Sequence, residues 1–156
     1  MGEGKDNVKY RCELPWQADQ KASTLVVYCS AFDIRLYFRE FLDQGLGLQS
    51  YDLIAVPGGA QILSASHFLP KVAGYLRRLV DFLVKAHKLE RVVLLGHEDC
   101  GFYKNYQFGP VHLDLRERQI HDLRNAAETL RGMLGLPVEG YYARITGERV
   151  EFVTIQ

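Results

Sequence analysis

Long hydrophobic runs are missing from this chain of 156 residues. No stretch approaches the ~20 apolar residues that span a bilayer, so no membrane helix is expected. Cysteine is scarce, with three residues at Cys12, Cys29 and Cys100. A secreted disulfide scaffold carries more of them, usually in even number, so a reducing compartment is expected. No apolar run follows the N-terminal Met-Gly-Glu-Gly-Lys-Asp, so no secretory leader is expected and the setting reads as cytoplasmic. An excess of either charge is also missing: 19 Lys+Arg stand against 19 Asp+Glu. That balance argues against a nucleic-acid-binding domain and gives no electrostatic reason to bind a membrane surface. Internal repeats and low-complexity tracts are absent from the sequence. What remains, 47% hydrophobic and 24% charged, is the composition of one soluble globular domain with a sizeable core.

Residues 1–23 are polar and weakly periodic, and read as an N-terminal arm with Tyr10 and Trp16 as anchors onto another surface. Residues 24–156 read as a single α/β domain. Leu25-Val26-Val27-Tyr28 is a β-branched run ending at Cys29, Asp52 to Val56 is a second, and Arg91 to Leu95 is a third that runs into Gly96-His97. Between them lie helix-period segments over residues 34–44, 70–88 and 115–134. Pro70 suits a helix start, and Gly45, Gly135 and Pro137 suit helix ends. Residues 140–145 and 149–155 read as a hairpin or a pair of edge strands around Thr146-Gly147. Strands alternating with helices predict a mainly parallel sheet flanked by helices, with ligands beyond the carboxyl ends of the strands.

Three sequences fall at such ends: Cys29 to Arg35, Pro57 to Gln61, and Gly96 to Gly101. In the last, His97 and Cys100 stand three positions apart in a glycine-flanked turn. Imidazole and thiolate both suit zinc, and one turn can supply two ligands. Cys29, at the end of a strand that can lie beside the third, offers another sulfur. Two sulfurs and one nitrogen leave a fourth position for water or a carboxylate, the arrangement of a catalytic rather than a structural zinc site. Alone, each cysteine reads as a small buried hydrophobe, and Cys12 as a bystander. Asp33 alone reads as a helix cap and Arg35 as a solvated helix residue.

The order Cys29…Asp33-x-Arg35, then Asp52-Leu-Ile-Ala-Val with a small-residue turn, then Val92-Val-Leu-Leu-Gly-His97-Glu-Asp-Cys100-Gly101, resembles the β-class carbonic anhydrases. The segment Val138-Glu-Gly140-Tyr-Tyr…Thr146-Gly147…Val150 resembles that family's last strands, so the likeness runs over about residues 24–155. It implies a zinc ion on Cys29, His97 and Cys100, and a dimer or higher homo-oligomer with active sites near the subunit interface. It further implies a lyase of the carbonate dehydratase type, in which zinc-bound hydroxide reversibly hydrates carbon dioxide to bicarbonate. By the same motif, Asp33 would accept the proton of the bound water and Arg35 would hold Asp33.

Two motifs depart from the family pattern. Cys-x-Asp-x-Arg has become Cys29-x-x-x-Asp33-x-Arg35, with two extra residues. Arg-Asn-Ala-Gly-Asn has become Pro57-Gly58-Gly59-Ala60-Gln61, which keeps an amide only at its last place. His67, His112, Tyr103 and Asp99 are all candidates for relaying the released proton. Other readings stay open: hydrolysis of another small heterocumulene of the carbonyl sulfide type, an inactive zinc-binding homologue, or a phosphatase or sulfurtransferase built on Cys29-x5-Arg35.

Overall fold

The computed structural model describes residues 8–64, 69–105 and 114–156. Residues 8–23 form neither helix nor strand. The elements then run β1 (Thr24–Cys29), α1 (Phe32–Glu40), β2 (Asp52–Val56), α2 (Pro70–His87), β3 (Arg91–His97), α3 (Gly101–Asn105), α4 (Leu115–Leu134), β4 (Val138–Thr146) and β5 (Arg149–Ile155). A π-helical turn (Phe41–Gly45) extends α1, and a 3₁₀ segment (Gly59–Ser64) follows β2. The sheet order is β2-β1-β3-β4-β5. The first four strands are parallel, and β5 returns antiparallel against β4. The expected mainly parallel α/β architecture is therefore the one found. No helix among the described residues is long and apolar enough to cross a membrane.

Alternation along the central strands explains the layers, because successive side chains in a strand point to opposite faces. Leu25 and Val27 of β1, with Val92 and Leu94 of β3, pack against Leu76 and Val80 of α2 and Leu123 and Leu130 of α4. Val26 and Tyr28, with Val93 and Leu95, pack on the opposite face against Ile34 and Phe38 of α1 and Leu42 of the π turn. Both faces of β1 and β3 are buried, as their unbroken apolar runs require.

The boundaries follow local chemistry. Asp114 caps α4 by accepting from the Arg116 N–H, and Gly135 closes it at φ 64°. The first helix starts two residues earlier than its apolar spacing predicts, at Phe32, with Ala31 as its cap. Asp33 is thus inside the first turn rather than capping it. The predicted end at Gly45 holds, but as a π turn: a side chain at Gly45 would run into the Phe41 ring, which stacks on Phe152 with centroids 4.0 Å apart.

The chain passes from β1 through α1 to β2 on one side, then through α2 to β3 on the other side of β1. The switch point of the sheet therefore lies between β1 and β3, where open α/β sheets bind ligands beyond the strand ends. Val27 pairs with Leu94, so Cys29 and His97 lie two and three residues further along adjacent strands.

A buried polar chain ties this end of the sheet to α4. The Tyr142 hydroxyl donates to Gln119 Oε1 at 2.7 Å, and Gln119 Nε2 donates to the His97 carbonyl at 3.1 Å. Replacing Tyr142 with Phe would leave the Gln119 acceptor buried and unpaired. Tyr142→Phe is expected to lower stability by about 1–3 kcal/mol in urea unfolding, with the m-value unchanged. An unchanged midpoint would show that Gln119 finds another donor.

Candidate metal centre

Cys29 ends β1, His97 ends β3, and Cys100 follows on the turn into α3. Their ligand atoms all lie within 4.8 Å of one another, and all three residues are buried. The two sulfurs are 3.9 Å apart. That is far beyond a disulfide bond of about 2.05 Å. It matches the separation of about 3.8 Å that two thiolates adopt on one tetrahedral zinc with Zn–S near 2.3 Å.

The imidazole is prepared for a metal. His97 Nδ1 lies 2.7 Å from the Glu98 carbonyl oxygen, which can only accept, so Nδ1 carries the proton. Nε2 is left with its lone pair, buried and without a hydrogen-bond partner. A buried polar atom normally finds a partner, and its isolation costs about 1–3 kcal/mol. A backbone carbonyl on the far ring nitrogen is the usual way a metal-ligating histidine is oriented. The residues present therefore fit a zinc ion.

The backbone brings the donors together at specific glycines. Gly59 sits at φ 62°, and a Cβ there would stand 2.6 Å from the Cys29 backbone nitrogen. Gly58, at φ 79°, is covered by the Phe102 ring. The Pro57-Gly58-Gly59 turn, featureless in sequence, is thus the surface on which the Cys29 backbone rests. A Cβ at Gly96 would meet Gln61 Nε2 at 2.6 Å, so the amide at the end of that motif packs beneath the strand that delivers His97. Asp99 takes φ 62°, which turns the chain so that Cys100 faces back towards Cys29.

The two thiols share a proton. Donation from Cys100 outweighs burial, and the neighbouring His97 and the Ala31 N–H add to it, so that Cys29 is held down to about 4. Cys100 is pushed well up by that same donation and by its own burial. Burial alone would lower His97, but the Cys29 thiolate more than offsets it, and the imidazole is raised.

Asp33 and Arg35, expected to act as a pair, are not brought together. Both lie on α1, two residues apart, and residues at that helical spacing point to different sides. Asp33 borders a cleft of about 220 Å³ that also exposes His97, Glu98 and Tyr37. Arg35 lines a separate cavity with Arg39, Tyr28, Tyr51 and Trp16, and none of the three metal donors. The start of α1 at Phe32 causes the split, since it places both residues in regular helix. The same placement removes the arginine from the thiol that a Cys29-x5-Arg35 reaction would need.

Of the proton-relay candidates, His67 and His112 lie outside the described residues. Asp99 is ion-paired with Lys104. Tyr103 is buried beside the two cysteines and donates to Asp122 at 2.7 Å. Sequence reasoning missed Glu98, whose carboxylate accepts from Arg116 and from the Ile145 N–H. Its position inside the His97–Cys100 turn was the only signal available.

Two outcomes are expected. Gly59→Ala should weaken zinc binding about tenfold or more by displacing Cys29, whereas Gly47→Ala, strained at φ 64° but with open space around it, should cost only about 1 kcal/mol of stability and leave metal uptake intact. Equal zinc affinity in both would remove the role given to Gly59. The metal-free site holds a proton on Cys100 that zinc must expel, so raising pH favours the metal-bound form. Competition with a chromophoric chelator should show zinc affinity rising about tenfold per pH unit per proton released, between about pH 6 and 8. A flat profile would contradict the shared proton.

Comparison with protein-family models finds no match, and a search of curated proteins by sequence finds none either. Comparison of structures does find relatives. β-Carbonic anhydrase isoform I of the protozoan Trichomonas vaginalis superposes with a TM-score of 0.52 at 16% identity, covering 92% of this chain and 87% of that one. The carbonic anhydrase of Streptococcus mutans gives 0.49 at 15% identity, over 87% of this chain and 84% of that one. One of two tetrameric β-carbonic anhydrases of Sordaria macrospora gives 0.49 at 18% identity, over 86% and 81%. By its sheet order and its superposition on the Trichomonas enzyme, this chain has the fold of the β-carbonic anhydrases, at an identity that sets it well apart from them in sequence.

Proposed function

We propose that this protein is a zinc lyase that reversibly hydrates carbon dioxide to bicarbonate. The observation that carries the reading is the buried group of Cys29, His97 and Cys100 at the switch point of a β-carbonic-anhydrase-like sheet. Zinc, when bound there, would lower the pKa of a water molecule towards about 7 and so supply a nucleophile at neutral pH. The chain's own residues do the rest. Cys29 and Cys100 provide thiolates, and His97 provides Nε2 with its ring held by the Glu98 carbonyl. The thiolates donate charge, which works against acidifying the water, so a carboxylate to receive its proton has work to do. Asp33, on the rim of the cleft that reaches His97, is that acceptor. Among the described residues no arginine is ion-paired with it; it stands in the first turn of α1, where the helix dipole favours a negative charge. The Glu98 carboxylate is committed instead to Arg116 and the Ile145 N–H.

A cleft of about 220 Å³ suits a substrate of a few atoms, which favours carbon dioxide or another small heterocumulene over larger esters. The catalytic unit is residues 24–156, with the preceding segment as an arm. The chain works as a homodimer or higher homo-oligomer: Leu14 and Trp16 of the arm and Phe32 and Leu36 of α1 leave large apolar side chains in solvent.

Stopped-flow hydration by zinc-loaded protein tests this directly. Wild type is expected to be active, Cys29→Ser and His97→Ala to lose both zinc and turnover, and Asp33→Asn to keep zinc but lose about 10²-fold or more in kcat. Zinc-loaded wild type that leaves carbon dioxide unhydrated would overturn the assignment. Full turnover by Asp33→Asn across neutral pH would remove Asp33 as the acceptor.

A further inference from the structure

The ring of His97 packs edge-on against Phe38 and is oriented by a hydrogen bond from Nδ1–H to the Glu98 carbonyl at 2.7 Å. That carbonyl is only as well placed as Glu98 itself, one of two residues in the turn between His97 and Cys100. Every other polar group of Glu98 is tied down. Its N–H donates to the Ala143 carbonyl at 2.8 Å. One carboxylate oxygen accepts the Ile145 N–H at 2.7 Å, and the other accepts Arg116 Nη2 at 2.5 Å. Ala143 and Ile145 belong to β4, and Arg116 to the first turn of α4. Two elements, β4 and α4, therefore converge through three hydrogen bonds on one residue whose carbonyl faces His97.

An ordinary surface ion pair would look different. Exposed pairs join two flexible side chains and contribute little. Here the Glu98 and Arg116 side chains are 29% and 42% exposed, and one partner is a rigid backbone amide of β4. The carboxylate is also not a fourth ligand, because the donor cluster contains Cys29, His97 and Cys100 without it.

We infer that Glu98 is a positioning residue for the metal: its carboxylate, gripped by Ile145 N–H and Arg116, locks the carbonyl that aims His97 Nε2 between the two cysteines. This rests on the reading that the three residues hold zinc. Glu98→Gln keeps the size and shape of the side chain. Its amide nitrogen must face either the Ile145 N–H or the Arg116 guanidinium, donor against donor, so one grip is lost.

The test is metal affinity, read by competition with a chromophoric chelator on the full chain, together with the visible spectrum after cobalt(II) is loaded in place of zinc. Glu98→Gln is expected to weaken zinc binding 10- to 100-fold, the usual effect of losing an outer partner of a metal ligand. Its cobalt bands should shift and broaden as the imidazole loses its fixed angle. Arg116→Met should move both readouts in the same direction, and Arg116→Lys should recover part of the affinity. The melting temperature of the metal-free protein should change little in Arg116→Met, which leaves the Ile145 grip in place. Glu98→Gln and Arg116→Met with wild-type zinc affinity and unchanged cobalt bands would overturn the inference, as would metal-free melting losses with affinity intact, which would mark a structural role only. Wild-type protein that takes up neither metal would overturn the reading of the site and this inference with it.

Discussion

Everything in this molecule that bears on chemistry depends on one convergence: two strand ends and one turn must bring two sulfurs and a ring nitrogen within a single ion's reach. The separation of 3.9 Å between the sulfurs and the 4.8 Å limit on the whole group leave little tolerance. Parallel pairing of β1 with β3 sets the coarse position, since it fixes where Cys29 and His97 emerge. Glycine sets the fine position. Without room at Gly59 the Cys29 backbone would move, and without room at Gly96 the strand carrying His97 would lift off Gln61 and Tyr142.

Holding these groups together without a metal is unfavourable. Two buried thiols share one proton, and the imidazole keeps a lone pair that nothing answers. Folding normally eliminates such orphans. A site with this character is stabilised by whatever ion fills it, because an ion that binds only the folded chain shifts the folding equilibrium. The buried chain from Tyr142 through Gln119 to the His97 carbonyl, and the grip on Glu98, supply the rigidity that keeps the donors aimed. Rigid support around a metal ligand is what separates an organised centre from three residues that happen to be close.

Much of this was legible in the sequence. The apolar runs at Leu25–Tyr28 and Arg91–Leu95 announced buried parallel strands, and the period-3.6 pattern with Gly135 behind it announced α4. The grouping of Cys29, His97 and Cys100 was legible from their joint placement at strand ends in the order of the resembled family, although each cysteine alone reads as a small hydrophobe. What the sequence hid is side-chain direction. Asp33 and Arg35 keep the family's spacing relative to each other, yet the helix begins before both of them and turns them apart. Pro57-Gly58-Gly59 looked like a plain turn because its function lies in the absence of side chains against Cys29 and Phe102. Glu98 went unnoticed because its partners, Arg116 and Ile145, lie 18 and 47 residues away.

X-ray absorption at the zinc edge, on protein loaded with one equivalent of zinc, tests the central claim most directly. Two sulfur scatterers near 2.3 Å with an imidazole nitrogen near 2.0–2.1 Å and one further light atom are expected from Cys29, His97 and Cys100. A shell of oxygen and nitrogen alone, or one holding a single sulfur, would contradict the convergence on which the fold's chemistry rests.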